Sequence, residues 1–124
     1  MRSGSIMGHY TLVVMSNPVE GRDAEYNDWY SRQHLRDVLR VPGFVSAERF
    51  KMVGTPISEP VWQYCALYQL EHDRPQEAME ELVHRAGTDA MPMSDAMDPA
   101  WCAVLYESIG GISRADISDS GATR

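Results

Sequence analysis

His34 stands at the centre of the side chains best suited to chemistry, with Asn27 and Ser31 before it and Val38 after it. Those four positions fall at i, i+4, i+7 and i+11, one continuous stripe on a helix turning about 100° per residue. Three of the four are polar. A helix has no packing reason to turn three polar side chains inward, since each must find a partner or cost about 1–3 kcal/mol. Tyr30 lies one turn before His34, and Asp37 three residues after it at the edge of the stripe. An imidazole near its ordinary pKa can move protons at neutral pH. Two roles for His34 stand side by side. It is either a core histidine hydrogen-bonded to Asp37 or to a backbone carbonyl, or a proton-transfer group aimed into a sheet-lined cavity.

The helix that must carry this stripe runs from Arg22 to about Leu39 without proline or glycine, and stops before Val41-Pro42-Gly43. Arg22, Glu25, Arg32 and Arg36 gather on its other side, with Arg40 in line beyond them. Trp29 falls among these charges, placed either to stack under Arg32 or Arg36 or to meet another subunit. Ahead of the helix, Tyr10–Ser16 is a β-branched and aliphatic strand closed by Asn17-Pro18 and Gly21. After it come strands over Phe44–Val53 and Val61–Leu70, with Gly54, Pro56 and Pro60 between them. Asp73 reads as an N-cap with Gln76 completing a capping box, and a second helix then extends to about Ala86. Ala78, Met79, Leu82, Val83 and Ala86 form its apolar stripe. An irregular, methionine-rich stretch over 87–99 leads to a last strand at Trp101–Ser108. That stretch is expected near the mouth of a pocket, with Met91, Met93 and Met97 as a soft cover or as core filler.

The order is β-α-β-β-α-β, which is the ferredoxin-like split βαβ arrangement: a four-stranded antiparallel α+β sheet with both helices on one face. Strand three is apolar on both sides, with Trp62, Tyr64, Ala66, Tyr68 and Leu70 alternating with Cys65 and Leu67. One chain has helices for one face only. A second copy is therefore expected to shield the Trp62/Tyr64/Tyr68 side and give a homodimer. Cys65 and Cys102 fall on strands either side of strand one, about 9–10 Å apart and too far for a disulfide. Reduced thiols fit a cytoplasmic setting.

A length of 124 residues implies one domain, and 44% hydrophobic with 23% charged residues is ordinary globular composition. Residues 1–8 read as a tag or flexible leader, 9–108 as the domain and 109–124 as a polar, mobile tail. A net charge of −7 leaves no basic stripe for nucleic acid, and no apolar run is long enough to span a membrane. The cations include a single lysine, Lys51, a bias typical of GC-rich bacterial genomes. His9, His72 and His84 lack metal-ligand spacing, so no metal is expected. Neither GxGxxG, a P-loop nor a nucleophile elbow occurs.

The run Tyr26-Asn27-Asp28-Trp29-Tyr30, then His34-Leu35, Asp37-Val38-Leu39 and Val41-Pro42-Gly43-Phe44-Val45-Ser46-Ala47, ending Arg49-Phe50, resembles EthD-like proteins of the dimeric α+β barrel superfamily. The close likeness covers about residues 25–50, and element order extends it loosely over 10–108. The resemblance implies the ferredoxin-like fold and a homodimer closing into an α+β barrel, but leaves the reaction as a class. It places the family histidine on His34 and its aromatic neighbours on Trp29 and Tyr30. The wider superfamily includes isomerases, polyketide cyclases, cofactor-free monooxygenases and haem-binding branches, for which this chain is short. The expectation is a cofactor-independent lyase, isomerase or cyclase for a small apolar substrate, aromatic or polyketide-like. His34 moves the proton, Tyr30 and Asn27 orient it or bond a substrate oxygen, and Asp37 fixes the imidazole tautomer. Trp29, Tyr64, Tyr68 and Tyr106 contact the substrate. A non-catalytic ligand-binding or accessory dimer and a cofactor-free monooxygenase are the alternatives.

Overall fold

A computed structural model describes residues 7–54, 57 and 61–118. Most of the N-terminal leader, Pro56, Pro60 and the end of the tail, residues 119–124, lie outside the described residues. Strand β1 (Gly8–Ser16) leads into α1 (Asp23–Trp29), a π-helical turn (Tyr30–His34) and α2 (Leu35–Leu39), which together form one helical rod. Strands β2 (Phe44–Lys51) and β3 (Tyr64–His72) follow, then α3 (Pro75–Arg85), β4 (Cys102–Glu107) and a 3₁₀ turn at Arg114–Asp116. The four strands form one antiparallel sheet in the order β2-β3-β1-β4. This is the ferredoxin-like α+β arrangement, with the rod and α3 on one face.

The rod stops where the sequence turns. Val41 is fully buried and Gly43 takes φ +103°, a conformation that costs a side-chain-bearing residue dearly. A Cβ on Gly43 would also lie 2.8 Å from the His72 ring and 2.9 Å from Leu70 Cδ1. The turn thus brings the rod's end hard against β3, and the Glu71 N–H donates to the Gly43 carbonyl at 2.9 Å. A β-bulge between Phe44 and Ser46 then shifts the pleat of β2 by one residue.

Register fixes which side chains share a face. Leu12 lies opposite Tyr68 and Leu105, and Val14 opposite Ala66 and Ala103. With Tyr64, Ala66, Tyr68 and Leu70 they meet Tyr26, Tyr30 and Val38 of the rod in the core. This reverses one expectation. The Tyr64/Tyr68 side of β3 is covered by the chain's own helices, and Trp62 precedes the strand. The open face carries Val13, Met15, Cys65 and Leu67, half-buried, with Phe50, Val104 and Tyr106 exposed. The period-two alternation was right, but it does not say which face the helices cover. Cys65 and Cys102 are free and flank Met15 on this open face, one strand apart on either side.

The expected capping box on the second helix does not form. Helix α3 begins at Pro75, with Arg74 at the cap position and no side-chain cap bond. Proline suits the first helical position because its missing N–H would have no intrahelical acceptor there. Asp73 instead lies 3.3 Å from the His72 ring. Only Ala78 of α3 is buried, so this helix sits loosely over the sheet and leaves space beneath it.

Candidate active site

That space is a cavity of about 400 Å³ between the sheet, the rod, α3 and the 87–99 segment. Leu12 and Val14 form its floor, and Met79, Leu82, Val83 and Ala86, most of the expected α3 stripe, its roof. Met91, Met93 and Met97 close one side, as the position of the methionine-rich stretch led us to expect. The stretch is tied down rather than free: Val19 N–H donates to Ala96 O, Asp98 N–H to Asn17 O, and Arg22 reaches the Asp95 carboxylate at 2.8 Å. The polar groups facing this apolar space are few: His34, Tyr30, Tyr68 and Gln76.

His34 reaches the cavity because of the π turn. The Leu35 N–H donates to the Tyr30 carbonyl, five residues back instead of four. In a regular α-helix residues five apart point about 140° away from each other, but across a π turn they come nearly into line. Trp29 and His34 are such a pair. Their rings stack at 4.6 Å with 26° between planes, and Tyr30 meets the imidazole edge-on at 5.0 Å. Trp29 is thus not among the surface arginines. It backs the imidazole, and its indole N–H donates to the Pro92 carbonyl at 3.0 Å, tethering the methionine-rich stretch to the rod.

His34 is only 9% exposed, and its Nδ1 has no hydrogen-bond partner among the described residues. Burial lowers its pKa from 6.5 to about 4; the Asp37 carboxylate opposes the shift and the Arg49 guanidinium adds to it. The imidazole is therefore neutral at physiological pH. Asp37 does not hold the tautomer as expected. Its buried carboxylate takes Arg40 Nη1 at 2.8 Å and Gln33 Nε2 at 3.0 Å, so it closes the end of the rod and acts on His34 only through space.

Tyr30 and Tyr68 are almost wholly buried, with hydroxyls 3.4 Å apart. That is long for an O–H···O bond, whose usual length is about 2.7 Å. Burial pushes the Tyr30 phenol up to about 12 and raises Tyr68 well above its ordinary value. Both are neutral donors at pH 7.

The remaining expected residues lie elsewhere. Asn27 donates to Tyr64 Oη at 3.1 Å and to the Asp23 carbonyl, and neither Asn27 nor Tyr64 lines the cavity. Tyr106 pairs with Thr11 on the open face and is 57% exposed, on the wrong side of the sheet for this cavity. The stripe drawn through Asn27, Ser31, His34 and Val38 is broken by the π turn. Ser31 meets Arg49, while His34 and Val38 face the cavity.

Nothing in the hydrophobic pattern marks Arg49 as a functional candidate. Its guanidinium carbon lies 4.5 Å from the Tyr30 ring centre, 5.2 Å from Tyr64 and 5.3 Å from Tyr26. Arg49 stands five positions after Phe44, which on an unbroken strand puts them on opposite faces. The bulge puts both on the helix side, and a bulge leaves no mark in the hydrophobic pattern here. Among the described residues no three His, Cys, Asp or Glu side chains converge as metal ligands would, and no helix is long and apolar enough to cross a membrane.

Solved structures share this fold. An EthD (ethyl tert-butyl ether D) family protein from Bacillus halodurans C-125 aligns with a TM-score of 0.57 at 21% identity, covering 82% of this chain and 99% of its own. The fold is EthD-like. A candidate monooxygenase from Shewanella loihica PV-4 also aligns with a TM-score of 0.57, at 14% identity, over 86% of this chain and all of its own. No protein-family model and no curated protein matches the sequence. At these identities the likeness is one of fold.

Proposed function

We propose that the cavity is the active site of a cofactor-independent enzyme acting on a small, largely apolar substrate, aromatic or polyketide-like, by lyase, isomerase or cyclase chemistry. The observation that carries this reading is the grouping of a neutral buried imidazole with two loosely paired phenol hydroxyls at a largely apolar cavity. His34 takes a proton from a carbon beside a carbonyl. The C–H electron pair becomes a C=C bond, and the carbonyl pair moves onto oxygen. Tyr30 and Tyr68, each short of a good partner, donate to that oxygen as charge develops. His34 then returns the proton at another atom or to a leaving group. A base this weak needs an activated C–H, such as one between two carbonyls, which favours polyketide-like substrates.

The protein works as a homodimer in this account, with the open face around Val13, Leu67 and Val104 covered by a second copy. A cofactor-free monooxygenase is the second reading, favoured by the description of the Shewanella loihica neighbour. It uses the same first step; dioxygen adds to the resulting carbanion, the peroxide takes a proton back from His34, and loss of the second C–H proton cleaves the O–O bond, leaving a C=O and releasing water. Native mass spectrometry of untreated protein tests the main reading. A co-purifying small molecule should be transformed by wild-type protein and left intact by His34→Gln. A molecule held tightly but unchanged by wild-type protein would favour an accessory binding dimer instead.

A further inference from the structure

Arg49 enters the core from the edge strand β2 and lies among the rings of Tyr26, Tyr30 and Tyr64. Its Nη1 donates to Ser31 Oγ at 2.9 Å. Its Nε and Nη2 are buried and have no hydrogen-bond partner among the described residues. Of the three tyrosine hydroxyls, Tyr26 Oη is 2.6 Å from Ser16 Oγ and is near enough to Arg49 for a side-chain hydrogen bond to favour its ionisation, while Tyr64 Oη accepts from Asn27 and Tyr30 Oη faces Tyr68. No carboxylate forms an ion pair with Arg49 among the described residues, although the chain carries 18 acidic side chains. Arg49 is half-buried, but a cation with two guanidinium nitrogens buried, π faces among its main neighbours and no counter-anion is costly to keep. A shorter apolar side chain would pack against the same rings without that cost.

We propose that Arg49 is a positioning residue for the cavity: its uncompensated charge, seated against the Tyr30 ring, polarises the Tyr30–Tyr68 hydroxyl pair toward a ligand oxygen that bears negative charge. This rests on the proposed reading of the cavity as a binding site. The groups around the pair are few. Tyr26, His34 and Asp37 face it or its neighbours from the rod, and Asp37 is already engaged by Arg40. Cys65 acts on Tyr30 from β3, and Arg49 is the cation that acts from β2. The same charge favours ionisation of Tyr30 and Tyr68 against the larger effect of burial, and it opposes protonation of His34. One residue outside the cavity wall thus biases three groups on it in one sense, toward the deprotonated form. An enolate oxygen bonded to Tyr30 and Tyr68 is the ligand that gains from such a bias.

The probe is 4-nitrophenol, small enough for the cavity, with its affinity measured at about pH 5, where it is neutral, and at about pH 9, where it is ionised. His34 stays neutral at both, since its conjugate acid lies at about 4. Arg49→Met should weaken binding of the ionised probe about tenfold relative to the neutral one. Arg49→Lys should restore most of that preference, because it keeps the charge. Circular dichroism checks that each variant is folded at both pH values. Equal losses for the two probe forms in Arg49→Met would make Arg49 a packing residue and overturn the inference alone. If wild-type protein bound neither form, the reading of the cavity as a site would fall, and the inference with it.

Discussion

Acid should destabilise this protein through His34, by an amount that can be worked out. The folded imidazole titrates at about 4 and an unfolded one at about 6.5, so the unfolded chain binds the proton first as pH falls. Above about pH 6.5 both states are neutral and His34 contributes no pH dependence. Between about 6.5 and 4 the folded state loses stability at up to about 1.4 kcal/mol per pH unit. Below about 4 both states are protonated and the loss levels off at about 3 kcal/mol. At pH 5 it amounts to about 2 kcal/mol. Carboxylates titrate in the same range, so the quantity to isolate is the difference between wild type and His34→Gln. Urea unfolding at pH 7 and pH 5 supplies it. Wild type should lose about 2 kcal/mol more than the variant over that interval. Parallel losses would mean that the folded imidazole titrates normally, and the picture of a desolvated His34 beside Trp29 would be wrong.

Three further outcomes follow from particular contacts. Trp29→Phe removes the indole N–H bonded to Pro92, so amide exchange over residues 87–99 should speed up while β3 stays protected; unchanged exchange would mean that the other ties suffice. Tyr68→Phe should weaken binding of a carbonyl ligand by about 0.5–1.5 kcal/mol, the usual net value of one hydrogen bond, whereas Tyr106→Phe on the opposite sheet face should leave titration calorimetry unchanged. Light scattering of wild type should give twice the 14.0 kDa chain mass, and Leu67→Asp on the open face should return it to one chain; a wild-type monomer would remove the dimer from the account.

Much of the fold was legible because its signals are local. Val41-Pro42-Gly43 ends the rod, and the β-branched run at Tyr10–Ser16 makes β1. What stayed hidden depends on one-residue shifts in register. The π turn at Tyr30–His34 swings Trp29 onto the imidazole and splits the polar stripe, though nothing in residue type distinguishes it from α-helix. The bulge after Phe44 does the same on β2 and turns Arg49 into the core. Aromatic type suggests Tyr64 and Tyr106 as cavity residues, but Tyr64 packs against Tyr26 beside Asn27, and Tyr106 lies on the open face. Proximity in sequence pairs Asp37 with His34, while its geometry gives both carboxylate oxygens to Arg40 and Gln33. Inward polarity on a helix needs a reason, and His34 does face the cavity despite the local change of pitch.

The central claim is that His34 moves the proton, and turnover by wild type and His34→Gln of a substrate with a C–H between two carbonyls tests it most directly. The account predicts a fall of roughly 10²–10⁴-fold in kcat for the variant. For wild type, kcat/KM should fall with acid through a midpoint near 4 rather than near 6.5. A His34→Gln protein with undiminished turnover would contradict it and leave His34 as a core residue.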